Sequence, residues 1–155
     1  MAVEIANSIS AILTQARDEI RANMQTQNIN ASGRTSAALQ VVQRGTKIEL
    51  IKAEGQNAPF QTLQYGRAGG NVPAGFYYII KQWTRDKGLS FANETERGTF
   101  AYFTARKIAR EGTQRHATPN EQVYSDPIKK ATEEVAKVVK DYVLASVSAV
   151  IKANF

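Results

Sequence analysis

Apolar residues recur at intervals of three and four near both ends of this chain, and this pattern constrains the fold more than any other feature. Over residues 3–26 the spacing predicts an amphipathic helix whose apolar stripe runs from Ile5 to Met24. That stripe could be buried against the chain's own sheet or against a neighbouring subunit. Near the other end, Asp126-Pro127 is a typical helix start, and the spacing predicts a long helix that runs to about Lys152.

The segment that follows the first helix favours turns and strands. Short polar residues around Gly33 predict a turn, and residues 37–53 predict a β-hairpin in which Gly45 supplies the positive φ of a tight turn. A third strand is predicted at Phe60–Tyr65, after a polar loop at residues 54–59. The cluster of glycines from Gly66 to Gly75 predicts a flexible or tightly turning loop.

Two central helices are predicted at residues 74–87 and 94–111. Gly88 and Gly112 stand where helices commonly end, and Asn93 with Glu96 three residues later forms a capping-box pattern. The apolar side chains of both helices are expected to be buried, namely Phe76, Tyr77, Ile79, Ile80 and Trp83 in the first and Phe100, Phe103, Ile108 and a set of alanines in the second. Together these elements predict an α+β fold in a single domain over residues 1–155, with a long C-terminal helix.

Charge is concentrated in the middle of the chain. The sequence has 20 Lys and Arg against 14 Asp and Glu, a formal net charge of +6. Residues 30–125 hold thirteen of the bases and seven of the acids, which accounts for the whole excess. Such a surplus attracts phosphates over a Debye length of about 8–10 Å. It is compatible either with a surface tuned for solubility or with a position close to nucleic acid.

The residue inventory excludes several kinds of site. With no cysteine there can be no disulfide, thiolate zinc site, iron–sulfur cluster or cysteine nucleophile, and a single histidine, His116, excludes a multi-histidine metal site. Gly70 and Gly75 have the spacing of a phosphate-binding loop, but Phe76-Tyr77 follow where a lysine and a hydroxyl are needed. His116, Ser125 and Asp126 are residue types of a hydrolytic triad, yet no nucleophile elbow surrounds Ser125. We therefore expect no catalytic site, no cofactor and no metal.

Nothing in the sequence predicts targeting to a membrane. Glu4 lies where a signal peptide would carry Lys or Arg. The longest weakly polar run, Tyr142–Ile151, has ten residues, short of the roughly 20 needed to cross a bilayer. We expect a soluble protein with no membrane partner.

Three segments carry a resemblance to a known family. Residues 31–39 read ASGRTSAAL, similar to a T-G-x-L-x-x-S step that leads from a first helix into a hairpin. Residues 63–67 read LQYGR, similar to a strand-ending motif. Residues 79–89 and 100–113 read IIKQWTRDKGL and FAYFTARKIAREGT, similar to a helix pair. In this order the segments resemble the tailed-bacteriophage head–tail connector family, whose members are called neck or tail-completion proteins.

The resemblance implies a structural virion protein without enzymatic activity. Its subunits would form a homo-oligomeric ring, sixfold or twelvefold, around the genome channel in the neck or tail of the virion, after synthesis in the host cytoplasm. The implied partners are portal or adaptor proteins, tail proteins and, transiently and without sequence preference, packaged DNA. The alternative that stays open is a small basic nucleic-acid-binding protein.

Within this interpretation, two groups of residues are singled out. The candidates for the subunit interface or for the channel-facing surface are Arg34, Arg44, Lys47, Lys52 and Arg67. The expected structural turns and caps are Gly33, Gly45, Gly66, Gly88, Asn93 and Gly112.

Overall fold

The computed structural model describes residues 2–29, 32–45, 47–52, 60–114 and 121–154, and these confirm the α+β class. A two-stranded antiparallel sheet follows the N-terminal helix in the chain and packs against it. In chain order the elements are α1 (Ala2–Thr26), α2 (Arg34–Ala37), β1 (Leu39–Arg44), β2 (Lys47–Lys52), α3 (Phe60–Tyr65), α4 (Phe76–Asp86), α5 (Glu94–Glu111), a 3-10 turn (Glu121–Val123) and α6 (Ser125–Asn154).

The first and last helices pack side by side in opposite directions. Glu19 of α1 lies 3.7 Å from the Lys130 ammonium of α6, and Asn23 donates a hydrogen bond of 2.6 Å to the carbonyl of Gln122. Since the residue number rises along one helix as it falls along the other, the pair is antiparallel. The main core lies where the end of α1 meets the start of α6, and its buried members are Ile20, Met24, Leu39 and Val123.

The predicted hairpin is confirmed. Its register pairs Leu39 with Lys52 at the base and Arg44 with Lys47 at the tip. Leu39 is buried in the core, and the Arg21 guanidinium of α1 donates to the Leu39 carbonyl at 2.9 Å, which fixes the base of β1 against α1. The side chains of Arg44 and Lys47 are exposed, so the tip lies away from the core.

The segment predicted as a third strand, Phe60–Tyr65, is instead the helix α3. The Gln64 side chain is fully buried, and its Oε1 accepts hydrogen bonds from the backbone N–H groups of Tyr124 at 3.2 Å and Ser125 at 2.9 Å. Leu63, the preceding residue, packs against the main core. Successive strand residues point to opposite faces, whereas a helix allows Leu63 and Gln64 both to face inward. Six residues are also too few for periodicity to separate the two structures.

Helices α4 and α5 form a second, smaller core. Its buried residues are Ile80, Ala101 and Ala105, with Phe76, Tyr77 and Ile108 packed around them. The predicted cap of α5 is confirmed, because Asn93 Oδ1 accepts from the Glu96 N–H at 2.9 Å. Glu96 reaches back beyond the N-cap and accepts from the Ala92 N–H at 2.7 Å. All the glycines expected in turns have positive φ, namely Gly33, Gly45, Gly66, Gly88 and Gly112.

The large apolar side chains expected to be buried in this helix pair are partly exposed. Ile79, Trp83, Phe100 and Phe103 keep between 38% and 63% of their surface accessible, so their assignment to the core is wrong. The helices meet through the small side chains of Ala101 and Ala105 on α5, and a contact between two helices buries only one stripe of each. The neighbouring large side chains therefore face outward or line a groove.

A glycine-rich junction joins the helix pair to the rest of the chain. The Gly70 N–H donates to the Ala109 carbonyl at 2.7 Å, and the Thr113 N–H donates to the Arg67 carbonyl at 2.8 Å. The Arg67 N–H in turn donates to Thr113 Oγ1 at 2.9 Å. The loop after α3 is thus held, backbone against backbone, to the end of α5, and it sets the position of α4 and α5 relative to α1 and α3.

Candidate subunit interface

A row of exposed aliphatic side chains runs along the second half of α6, a helix whose first half packs against α1. We call it the α6 stripe, and its members are Val139, Val143, Leu144, Val147, Val150 and Ile151. Leu144 and Val147 keep 56% and 51% of their surface accessible. The spacing of three, four and seven residues places the row on one side of the helix over about 18 Å.

The register of the helix pair and the side of α6 that packs against α1 together leave the α6 stripe exposed. Contacts between residues 19 and 130 and between residues 23 and 122 bring the start of α1 level with about residue 145 of α6. Since α6 continues to Asn154, its last two turns extend beyond α1. Val147 and Ile151 lie in that extension, where α1 cannot cover them. Val139, Val143 and Leu144 lie level with α1 and are exposed because they are on a different side of α6 from its less exposed positions, Ala131, Val135, Val138 and Tyr142.

A second apolar surface lies between the α4–α5 pair and the ends of α1 and α3. This surface, which we call the central groove, encloses about 430 Å³. Its apolar lining comes from Ile29, Leu63, Phe76, Ile80, Trp83 and Ile108. Trp83 is 38% exposed there. The groove thus draws its apolar lining from four different parts of the chain, three of which are helices.

Two cations also line the central groove. The guanidinium carbon of Arg67 lies 5.6 Å from the centre of the Phe76 ring, and its Nη2 donates to the Asn71 carbonyl. Its Nε is buried and has no hydrogen-bond acceptor within the described part of the chain. The Lys87 ammonium donates to Asn28 Oδ1 at 2.9 Å. The groove therefore combines an apolar lining with positive charge.

The outer side of α5 carries a group of cations beside aromatic rings. We call it the α5 outer face, and it consists of Tyr102, Phe103, Arg106, Lys107 and Arg110, all exposed. Arg106 donates to the Tyr102 hydroxyl at 3.2 Å and lies over the ring of that residue. Arg110 donates to the Glu111 carboxylate at 3.1 Å through Nε, and this contact holds the pKa of Glu111 below its usual value.

A network of charges fixes the other end of the α4–α5 pair. Lys81, Arg85 and Arg97 lie within 3.2 Å of the Glu94 carboxylate. Hydrogen bonds from Lys81 and then Arg85 hold the pKa of Glu94 below its usual value. Since the Glu94 side chain is more than half exposed, we assign this network to positioning the helices rather than to stability.

The structure does not gather the five interface candidates from the sequence into one cluster. Arg34 pairs with Asp86 at 3.0 Å, and Arg67 lines the central groove. Arg44 and Lys47 oppose each other at the hairpin tip, where Lys47 also contacts Glu49 at 2.7 Å. Lys52 lies at the base of the hairpin, about 17 Å away along the strand. Their roles stay predictions.

Sequence reasoning missed the α5 outer face and the exposure of the α6 stripe. The cations at 106, 107 and 110 share one side of a helix, and this spacing is a signal that the sequence contains. No local pattern shows which side of α6 packs against α1 and which side, with the α6 stripe, stays uncovered. His116, Thr46 and the loop at residues 54–59 lie outside the described residues.

Neither a metal site nor a membrane-spanning helix is found in the described part of the chain. No group of three or more potential metal ligands comes together there. None of the described helices is both long and apolar enough to cross a bilayer. Comparison with known proteins gave no match to a family model, a curated protein or a solved structure.

Proposed function

We propose that this protein is a structural, non-enzymatic subunit that assembles into a ring in the head–tail connector of a tailed bacteriophage. The ring would be sixfold or twelvefold, surround the genome channel, and contact portal or adaptor proteins on one side and tail proteins on the other. The observation that carries the proposal is the exposed α6 stripe, together with the ordered resemblance of three segments to that family. Under this proposal the protein is located in the neck or tail of the virion.

The exposed apolar surface supports an assembling subunit. Single apolar side chains on a surface need no explanation, but a continuous row of six on one helix is typical of a surface that a partner covers. The chain has two such surfaces of different shape, a convex helix and a concave groove. Surfaces of different shape favour a head-to-tail contact, and a repeated head-to-tail contact closes into a ring when its rotation permits.

The assembly surface can be tested by charge substitution on α6. In the double variant Leu144→Glu and Val147→Glu, we expect the oligomer to dissociate into monomers, because two carboxylates cannot be buried in an apolar contact without partners. The monomer should remain folded, since both positions are half exposed in it. Native mass spectrometry and negative-stain imaging measure the assembly, and circular dichroism measures the fold.

The matched control places two new glutamates on a different side of the same helix. Ala145→Glu and Lys152→Glu, both exposed positions that are not three, four or seven residues from any member of the α6 stripe, should leave the oligomer intact. A wild-type protein that is monomeric at the highest concentration reached would contradict the proposed function. Equal loss of assembly in both double variants would show that added charge, rather than the α6 stripe, is responsible.

The α5 outer face favours a second candidate function, that of a small basic nucleic-acid-binding protein. Its cations can contact phosphates, and Tyr102 and Phe103 can stack on bases. We expect a connector subunit to bind duplex DNA weakly, without sequence preference and less as salt rises, because phosphate contacts carry no sequence information. Fluorescence anisotropy with two unrelated duplexes across a salt series measures this. Tight, sequence-selective binding at about 150 mM salt would favour the second function over the first.

A further inference from the structure

We infer that the α6 stripe of one copy docks in the central groove of the next copy. This inference rests on the proposed function, which requires contacts between copies, and it names the two surfaces that meet. An amphipathic helix laid into an apolar groove is a common mode of recognition, in which side chains spaced by three, four and seven residues enter the groove. The α6 stripe has that spacing, and the groove has the apolar lining.

The geometry of α6 excludes docking within one chain. Gln64, the neighbour of the groove residue Leu63, hydrogen-bonds to Ser125, so the start of α6 lies close to the groove. Val139, where the α6 stripe begins, is fourteen residues further along the helix, a distance of about 21 Å. Leu144 and Val147 lie further still. A straight helix that leads away from the groove cannot bring its own stripe back, so a second copy supplies it.

Shape and charge both fit this occupant. The groove volume of about 430 Å³ can hold several aliphatic side chains, and Trp83 is partly exposed beside it. Asp141 borders the α6 stripe and is the one acidic residue between positions 139 and 152. It would approach Lys87 and Arg67, the two cations of the groove lining. Lys140 lies on the same side as the stripe, and its flexible side chain can extend over the rim with the ammonium in solvent.

Because the contact joins two different surfaces, it repeats from copy to copy. Each subunit would insert its own α6 stripe into one neighbour and receive the stripe of the other neighbour. In a closed ring such a contact leaves no α6 stripe and no central groove uncovered. A symmetric pairing of two α6 stripes would instead stop at a dimer and leave both grooves open.

Disulfide cross-linking tests this contact directly, because the natural chain has no cysteine. The double variant Leu144→Cys and Trp83→Cys places one thiol on the α6 stripe and one in the central groove. Under mild oxidation we expect a ladder of covalent oligomers on a non-reducing gel, whose highest band reports the number of subunits in the ring. Each single variant should stay at the monomer position. The pair Ala145→Cys and Trp83→Cys, with one thiol on a different side of α6, should form at least tenfold fewer cross-links.

A second double-cysteine variant keeps the test valid if the variant that lacks Trp83 misfolds. Thr62 also lines the groove and is exposed, so Leu144→Cys with Thr62→Cys should give the same ladder. Covalent dimers of the single Leu144→Cys variant would show that two α6 stripes pair with each other, which overturns the inference. Intact rings that give no ladder with either pair would also overturn it and leave the proposed function standing. A monomeric wild-type protein by native mass would overturn both.

Discussion

Replacing Gly112 by alanine is expected to lower the free energy of unfolding by about 3 kcal/mol or more, through backbone strain and a steric clash. Gly112 has a φ of +80°, a conformation that residues with a Cβ atom rarely adopt. A Cβ atom at this position would also lie 2.5 Å from the Arg67 carbonyl oxygen and 2.9 Å from the Gly69 nitrogen. Both of these atoms belong to the backbone, which cannot move aside as a flexible side chain can.

The matched control for this substitution is Gly88→Ala. Gly88 also has a positive φ, of +67°, but a Cβ atom there would have no heavy atom of another segment within 4 Å. We expect a loss of only about 1–2 kcal/mol, from the backbone conformation alone. Thermal unfolding separates the two variants, because a chain of this size loses roughly 2–4 °C per kcal/mol. Equal melting temperatures would show that the close approach of Gly112 to the backbone of residues 67–69 does not contribute to the difference in stability.

The Gly112 variant also bears on the candidate interface. The junction of Gly112 with the loop after α3 sets how α4 and α5 sit against α1 and α3, and the central groove lies between those parts. A variant that folds with this junction displaced would change the shape of the groove. Loss of assembly in a folded Gly112→Ala protein would therefore agree with a groove that receives a neighbouring subunit.

The elements that could be predicted from the sequence are those whose signals are local. The hairpin follows from a glycine turn between two apolar runs, and the register observed, Arg44 opposite Lys47, agrees with that turn. The start of α5 follows from Asn93 and Glu96, whose hydrogen bonds lie within four residues of each other. In each case the residues that decide the structure are neighbours in the chain.

The predictions that were wrong concern structure that depends on contacts between residues far apart in the sequence. Helix α3 is defined by Gln64, whose hydrogen-bond partners are 60 and 61 residues away, so six residues of local sequence could not identify it. The exposure of Phe103 and Ile79 depends on which face of α4 meets the alanines of α5. Periodicity identifies an apolar face but not whether the chain supplies enough surface to cover it.

For the candidate interface too, some features could be predicted from the sequence and others depend on how the helices pack. An excess of positive charge in the middle of the chain was evident from composition, and the α5 outer face lies within that region. Composition could not place those charges relative to the hairpin or the groove. Likewise, an apolar pattern along α6 was evident, but which side of that helix packs against α1 is determined only in the packed structure.

Replacing Gln64 by alanine is the second substitution expected to have a large effect. The first N–H groups of a helix have no acceptor within the helix, and Gln64 Oε1 accepts from those of Tyr124 and Ser125 at the start of α6. Its Nε2 also donates to Ser125 Oγ. Alanine would leave these buried groups unpaired and open a cavity, at a cost of about 2–4 kcal/mol. We expect a fall in melting temperature of roughly 5–15 °C.

Gln82→Ala removes a glutamine of the same size from an exposed position and serves as the control. The Gln82 amide donates to Asp86 at 2.9 Å on the surface of α4, so its loss should change stability by less than about 0.5 kcal/mol.

Gln64→Glu keeps an acceptor oxygen near the start of α6, and at low pH, where the carboxyl is neutral, it should be more stable than Gln64→Ala. Because the Gln64 bonds anchor the start of α6 beside α3, their loss should also loosen the position from which the α6 stripe projects. Equal unfolding of Gln64→Ala and wild type would mean that solvent caps α6 and that α3 is held by Leu63 and its apolar neighbours instead.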